Sequence, residues 1–304
     1  MQTTAGARNE WALRAMPAVF VLIWSTGFIV ARLAMPTEPT FTFLCWRYAL
    51  SLVCFGVWIT WARAPWPVGA AQWGHLGVTG VLMHAAYLGG VWAAVKAGIG
   101  AGTVALLVGL QPVLTALWLS AASSPGHGPA VSLRQWMGLV LGFAGLTLVV
   151  WRKLGVGEIT PWNLGLALLA LLGITTGTLY QKRHVARCDV RTANAVQLMA
   201  ALLVSLPLAL RETEAMQWSQ TAVLAMGWSV VGLTLGGSSL LYLLIQRGAA
   251  TRVTSLLYLV PPTTAVMAWA LFHEVLTLPM LMGMALTALG VSLVVAAPTA
   301  KNAQ

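Results

Sequence analysis

Ionisable and polar aromatic side chains within long apolar runs are the residues of this sequence most able to do chemistry. Arg47 is the one cation that falls clearly inside such a run, and His84 and Tyr87 lie about one helical turn apart in another. A buried charge is costly unless it is paired, so Arg47 is a functional candidate. It could attract a carboxylate. It could instead bond helix-end carbonyls, pair with Glu38 or Glu274, or extend outward to a polar surface.

His84 and Tyr87 place an imidazole and a phenol near the middle of one apolar run. Together they could bind a zwitterion or relay a proton, or the imidazole could be neutral and bonded to a nearby hydroxyl or carbonyl. Other polar or aromatic residues lie at similar depth in other runs. With His84 and Tyr87 they form the candidate binding set, which adds Trp24, Thr26, Gln111, Thr176, Tyr242 and Tyr258. Pro112, Pro261 and Pro262 predict helix breaks that free backbone carbonyls, which suits a hinge or a ligand.

Motifs for catalysis or metal binding are not evident in the sequence. It has no CxxC or HExxH pattern and no carboxylate cluster, and no nucleophile–base pair falls at one depth. We therefore expect no cofactor, no metal and no enzymatic activity. A membrane-embedded enzyme remains an alternative with little support. A sensory or assembly subunit is another, although we would expect such a protein to carry a soluble output domain or a long tail.

The amino-acid composition indicates what kind of structure must position these residues. Of 304 residues, 59% are hydrophobic and 8% are charged, with a mean hydropathy of +0.81. A soluble domain carries charge on about a quarter of its residues, so most of this surface must face lipid. The net charge of +10 could suggest nucleic acid, but the basic residues stand one or two at a time between apolar runs. That pattern is typical of membrane-protein loops, and we expect no nucleic-acid partner.

Ten apolar runs are long enough to cross a bilayer. They cover about 15–34, 41–61, 73–95, 102–121, 135–151, 162–182, 193–210, 222–246, 253–272 and 279–297. If the N-terminus is cytoplasmic, eleven basic residues face the cytoplasm and five face outward, namely Arg32, Lys96, Arg152, Lys153 and Arg211. Positive residues favour the cytoplasmic side, so we predict a multi-pass protein of a bacterial inner membrane with both termini cytoplasmic.

The two halves of the sequence match at an offset of 150 residues. The offset relates Arg32 to Lys182, Arg47 to Gln197, Lys96 to Gln246 and Pro112 to Pro262, and further on an offset of 145 relates Gly145 to Gly290. The repeats cover residues 15–152 and 161–297. Each has five helices, an odd number, so the second enters the membrane from the opposite side. We predict an all-α membrane fold of two inverted five-helix repeats around a central cavity, with substrate near the bilayer midplane.

The chain resembles the drug/metabolite transporter superfamily, in its ten-helix EamA-like branch. The resemblance rests on Ile23-Trp24-Ser25-Thr26-Gly27-Phe28, Phe43-Leu44-Cys45-Trp46-Arg47, Gly109-Leu110-Gln111-Pro112 and Leu257-Tyr258-Leu259-Val260-Pro261-Pro262 with Phe272-His273-Glu274. It implies a secondary transporter that exports amino acids or other small metabolites, with multidrug or toxic-compound efflux as the alternative. No Asp or Glu lies deep in a predicted span, which favours neutral, zwitterionic or anionic cargo. We expect a small-molecule substrate, a lipid surround and a monomer or homodimer.

Overall fold

Helices make up the membrane part of this protein. The computed structural model describes residues 3–121, 133–155, 157–246 and 259–295. The helices are α1 (Thr3–Ala34), α2 (Thr40–Ala62), α3 (Ala70–Gly80, Val81–Ala86 and Tyr87–Lys96), α4 (Ala101–Val108 and Gln111–Ala121), α5 (Leu133–Gly155), α6 (Pro161–His184), α7 (Val190–Ala209), α8 (Gln220–Trp228, Ser229–Ser238 and Ser239–Gln246), α9 (Val260–Phe272) and α10 (Leu278–Val295).

Ten apolar helical segments match the ten predicted runs. Five are at least 18 residues long and hydrophobic enough to cross a bilayer, within α2, α3, α6, α7 and α8. The apolar parts of α1, α4, α5, α9 and α10 are shorter. The prediction of an all-helical protein with ten such helices is confirmed.

Helix packing follows an approximate two-fold axis that exchanges the halves. Under the offset of 150, α1 to α4 correspond to α6 to α9, and under the offset of 145, α5 corresponds to α10. The equivalent helices α2 and α7 pack together, as do α4 and α9, and α5 and α10. The contact of α3 with α6 has its counterpart in the contact of α8 with α1. Since each half crosses the membrane five times, this axis lies in the membrane plane and the halves are inverted relative to each other.

Charged contacts at one end of the bundle join the two halves. We call it the acidic end because Glu38, Glu158, Glu212, Glu214 and Glu274 lie there. Glu212 accepts hydrogen bonds from the backbone N–H groups of Phe41 and Thr42 and from the Thr42 hydroxyl, each at 2.8 Å. These donors form the first turn of α2, where a helix favours negative charge.

Further contacts at the acidic end also cross between the halves. Glu38 accepts from the Gln217 backbone N–H at 2.9 Å, and Glu274 accepts from Ala101 N–H at 3.1 Å. Lys96 pairs with Glu214 at 2.6 Å. Glu274 therefore replaces water at the start of α4, while Glu38 bonds the segment just before α8, each in the opposite half.

Mostly neutral contacts join the halves at the other end, which we call the basic end. The Gln72 side chain donates to the Ala186 carbonyl and accepts from its N–H, and His75 is 2.8 Å from the Tyr180 hydroxyl. Asp189 caps α7 there, and hydrogen bonds from Arg191 hold the pKa of its carboxyl below the usual value. Most of the described charged residues at this end are basic, including Arg63, Lys182 and Arg183.

Two π-helical segments interrupt α3 and α8 at equivalent positions. Val81–Ala86 lies in α3 and Ser229–Ser238 in α8. The offset of 150 places the first segment inside the second. Such segments widen a helix and are frequent at functional sites. Because they occupy equivalent positions in the two halves, the two segments lie at the same depth in the bundle.

Candidate substrate-binding cavity

A cavity lies between the halves, bordered by α1, α2, α3, α6, α7 and α8. It holds about 710 Å³ of space free of protein atoms, counting its opening. Its lining comprises Trp24, Gly27, Phe28, Arg47, Met83, His84, Tyr87, Leu88, Val91, Trp92, Ile174, Gln181, Asn194, Gln197, Leu233, Ser238, Leu241 and Tyr242. Most of this surface is apolar, with a few polar groups, as is usual for a small-molecule site.

Equivalent positions of the two repeats face each other across this cavity. The offset of 150 relates the lining residues Trp24 and Ile174, Arg47 and Gln197, Met83 and Leu233, Leu88 and Ser238, Val91 and Leu241, and Trp92 and Tyr242. The cavity therefore lies on the approximate two-fold axis. The pairs share positions but not chemistry, since Arg47 is charged and Gln197 is neutral.

Arg47 is buried in the cavity wall, with 3% of its surface exposed. Its Nε donates to the Thr234 hydroxyl at 3.1 Å, and its guanidinium lies 5.7 Å from the Trp92 ring centroid. Neither Glu38 nor Glu274 pairs with it among the described contacts. Its Nη1 has no hydrogen-bond partner.

The π-helical segments contact neighbouring residues of α2. The Tyr48 hydroxyl donates to the His84 carbonyl at 2.9 Å, and Arg47 donates to Thr234. His84 and Thr234 are equivalent under the offset of 150. Helix α2 therefore holds the widened segments of both halves at the same depth, which fixes the polar part of the cavity.

Aromatic side chains form the wall opposite these contacts. The rings of Trp24 and Tyr87 are nearly parallel, with centroids 6.5 Å apart. Tyr87 and Tyr242 are buried, and Trp24 is partly exposed to the cavity. Of the sequence candidates, the structure brings Trp24, His84, Tyr87 and Tyr242 together with Arg47.

The other candidates of the binding set lie away from this lining. Thr26 accepts a hydrogen bond from Trp228 and donates to the Ile23 carbonyl. Gln111 donates to the Thr178 hydroxyl at 3.1 Å, and Thr176 bonds the Leu172 carbonyl of its own helix at 2.7 Å. Each is thus occupied by the protein itself. Tyr258 lies outside the described residues.

Helices α4 and α9 approach each other near the prolines predicted to break them. A turn at Gly109 and Leu110 interrupts α4 just before Pro112, and α9 begins with Pro261 and Pro262 in its first turn. A Cβ added to Gly109 would lie 2.7 Å from Pro261 Cγ, so the glycine permits this approach. The arrangement brings the interruption of α4 close to the start of the described part of α9.

Sequence reasoning did not place Gln181, Asn194, Gln197 and Ser238 in the site. Gln197 had a signal, because the offset of 150 aligns it with Arg47. Asn194 had none, since its equivalent is the apolar Leu44. The described residues contain no group of three or more His, Cys, Asp or Glu side chains able to hold a metal.

Sequence comparison gives the family. The profile of the EamA-like transporter family matches residues 15–151 and again residues 161–296. The chain belongs to the EamA-like transporter family. This transporter is 29% identical over 201 residues to a Bacillus subtilis (strain 168) protein described as uncharacterized transporter YvbV, covering 64% of this chain and 63% of that protein's length. It is 23% identical to an uncharacterized transporter of Archaeoglobus fulgidus, covering 84% and 88%.

A solved crystal structure shares the fold of this EamA-like transporter. The TM-score is 0.64 at 18% identity, covering 92% of this chain and 95% of the other. Two EamA domains imply duplicated halves, in agreement with the packing of equivalent helices. Family membership therefore makes this a multi-pass membrane protein of a transporter family. The alignment with the Bacillus subtilis relative spans just under two thirds of each chain.

Proposed function

We propose that this protein is a secondary transporter that exports small metabolites, namely amino acids or related zwitterionic or anionic compounds, by alternating access. The observation that carries the proposal is the cavity on the two-fold axis, lined by equivalent residues of both halves. Inverted repeats around such a site can rock to expose it to either side. The rocking units are residues 15–152 and 161–297, and Trp24, His84, Tyr87 and Tyr242 contact the cargo.

Access to the cavity depends on the contacts at its two ends. Carboxylates bind helix starts at the acidic end, whereas most contacts at the basic end are neutral. Opening the acidic end requires the charged contacts to separate together. The breaks at Pro112 and at Pro261 and Pro262 allow the half-helices of α4 and α9 to tilt during this motion.

The composition of the cavity favours metabolites over lipophilic cations. Among the residues that the structure describes, its lining contains Arg47 and no Asp or Glu. A cationic drug would meet an unfavourable charge there, and no carboxylate is available to exchange it for a proton. Multidrug efflux is therefore the weaker alternative for this site.

Blocking the cavity should abolish transport. We expect liposomes loaded with a bacterial metabolite extract to release specific compounds through the wild-type protein, measured by mass spectrometry, without an imposed pH difference. Ser238→Trp fills the cavity and should stop the release. Val231→Trp is the matched control, because it lies in the same π-helical segment with 63% of its surface exposed. Equal release through both variants, or release only under a proton gradient, would contradict the mechanism.

Orientation is tested by reporter fusions. We propose a bacterial inner-membrane location with the basic end and both termini in the cytoplasm, because basic residues favour that side. Fusions after Lys301 and within residues 183–192 should both give a cytoplasmic signal. A periplasmic signal at either position would reverse the direction of the acidic and basic ends.

A further inference from the structure

Arg47 introduces a positive charge that the described protein does not neutralise. Its guanidinium remains protonated in a protein at any physiological pH. Arg47 is the one Asp, Glu, Lys or Arg among the described residues of the cavity lining, and its described contacts are the neutral Thr234 and Trp92. Burying an ion without a counter-ion is among the costliest arrangements in a protein interior. The empty cavity therefore has a net positive charge.

A second residue of the cavity lining, which belongs to the other half, also has an unpaired donor. Gln197 is the equivalent of Arg47, is 4% exposed, and its Nε2 has no hydrogen-bond partner. The Arg47 Nη1 is likewise buried without a described hydrogen-bond partner. Buried donors normally find acceptors, so two open donors in one cavity call for an acceptor that comes from outside. A carboxylate offers two acceptor oxygens for these donors and a negative charge that balances the positive charge of Arg47.

The other residues of the cavity lining indicate the chemical character of the rest of the ligand. Phe28, Met83, Val91, Ile174 and Leu233 line it, together with the Trp24 and Tyr87 rings. No described carboxylate is available for a ligand ammonium group. A zwitterion would thus add its own positive charge to the positive charge of Arg47. A monoanion brings the loaded cavity to neutrality.

We infer that the cargo is an organic monoanion, with one carboxylate bound by Arg47 and Gln197 and a largely apolar body against the aromatic wall. The inference rests on the proposed transport function and narrows it, because it ranks monoanions above zwitterionic amino acids. Arg47 provides the charge, and Gln197 completes the recognition from the equivalent position. His84 lies beside this pair and bounds the pocket for the carboxylate.

Four compounds with one carbon skeleton test the charge preference. They are 3-phenylpropionate (anion), phenylalanine (zwitterion), 3-phenylpropionamide (neutral) and 3-phenylpropylamine (cation), each measured by equilibrium binding to purified protein. We expect 3-phenylpropionate to bind most tightly and the amine least. Arg47→Gln should weaken the binding of 3-phenylpropionate by about 10- to 100-fold. The variant should then no longer bind 3-phenylpropionate more tightly than the amide. Arg211→Gln, an exposed site with the same charge change, should have no effect.

A double variant that exchanges the two equivalent residues gives a stricter test of the charge preference. Arg47→Gln combined with Gln197→Arg moves the charge to the equivalent position of the other half. If the cavity binds an anion on its axis, this double variant should regain at least part of the preference for 3-phenylpropionate. Thermal unfolding of each variant shows whether it is folded, and Arg47→Lys keeps the charge if Arg47→Gln is unstable.

The outcomes separate this inference from the transport proposal. Equal binding of the four compounds, no binding of any, a preference for phenylalanine, or equally tight binding of chloride would overturn the monoanion assignment. Metabolite release that Ser238→Trp blocks would leave transport standing in each of those cases. Tight binding of 3-phenylpropionate without release of any compound from liposomes would instead overturn transport and keep the anion site.

Discussion

Gly80→Ala is expected to destabilise the protein and impair ligand binding more than any other single methyl addition near the cavity. A Cβ at Gly80 would overlap the Gln197 carbonyl oxygen and approach Gln197 Cα to 2.6 Å. The obstacle is backbone, which cannot rotate away, so α3 and α7 must separate. We expect a cost of about 3 kcal/mol, at the upper end for overpacking, because no side chain can yield. Lower thermal stability and weaker binding should both be measurable.

Gly77→Ala provides the matched control for this change. It lies one turn earlier in α3, and its added Cβ would make an ordinary contact with Ala200 at 3.8 Å. Alanine also favours a helix over glycine by about 1 kcal/mol. Gly77→Ala should therefore leave stability unchanged or raise it. Similar behaviour of the two variants would show that the approach of α3 to Gln197 is not a constraint on the fold.

Glu212→Ala is expected to open the acidic end. The substitution removes three hydrogen bonds of 2.8 Å between one half and the start of α2 in the other. Hydrogen bonds to a charged group are worth about 1.5–3 kcal/mol each, and water replaces part of this when the contact opens. We expect at least about a ten-fold shift toward the state open at this end, equivalent to about 1.4 kcal/mol.

Thiol labelling measures that shift. Leu88→Cys places a thiol in the cavity lining of a variant whose three native cysteines, Cys45, Cys54 and Cys188, are replaced. An impermeant reagent added from the acidic end should label it about ten times faster after Glu212→Ala. Glu214→Ala is the control, because its pair with Lys96 is largely exposed and such pairs contribute little. An unchanged labelling rate would mean that Glu212 does not control access.

The repeat explains why so much of the architecture was predictable from the sequence. Apolar runs predict the helices, and Gly, Pro and charged residues held at one offset predict which helices are equivalent. The same offset relates Trp92 to Tyr242 and Arg47 to Gln197, which face one cavity in the structure. The arrangement of the helices could therefore be predicted from the 150-residue repeat, because the two halves of an inverted duplication pack around an approximate two-fold axis.

The details of the site depended on helix rotation, which hydropathy does not specify. Gln111 and Thr176 fall at suitable depths, yet their side chains bond to Thr178 and to the Leu172 carbonyl outside the cavity lining. The π-helical segments change the rotation of α3 and α8 by local widening, so the faces after them could not be assigned from a regular helical period. Asn194, in α7, entered the lining without any sequence signal.

The single charge at Arg47 has an electrical consequence. If the protein exports a monoanion as proposed, a cavity that is positive when empty and neutral when loaded carries one negative charge outward in each cycle. Bacterial cells keep their interior negative, and 100 mV contributes about 2.3 kcal/mol per charge, which is equivalent to roughly a 50-fold concentration ratio. The proposed export would therefore be driven by membrane voltage and would not require a buried carboxylate for proton exchange.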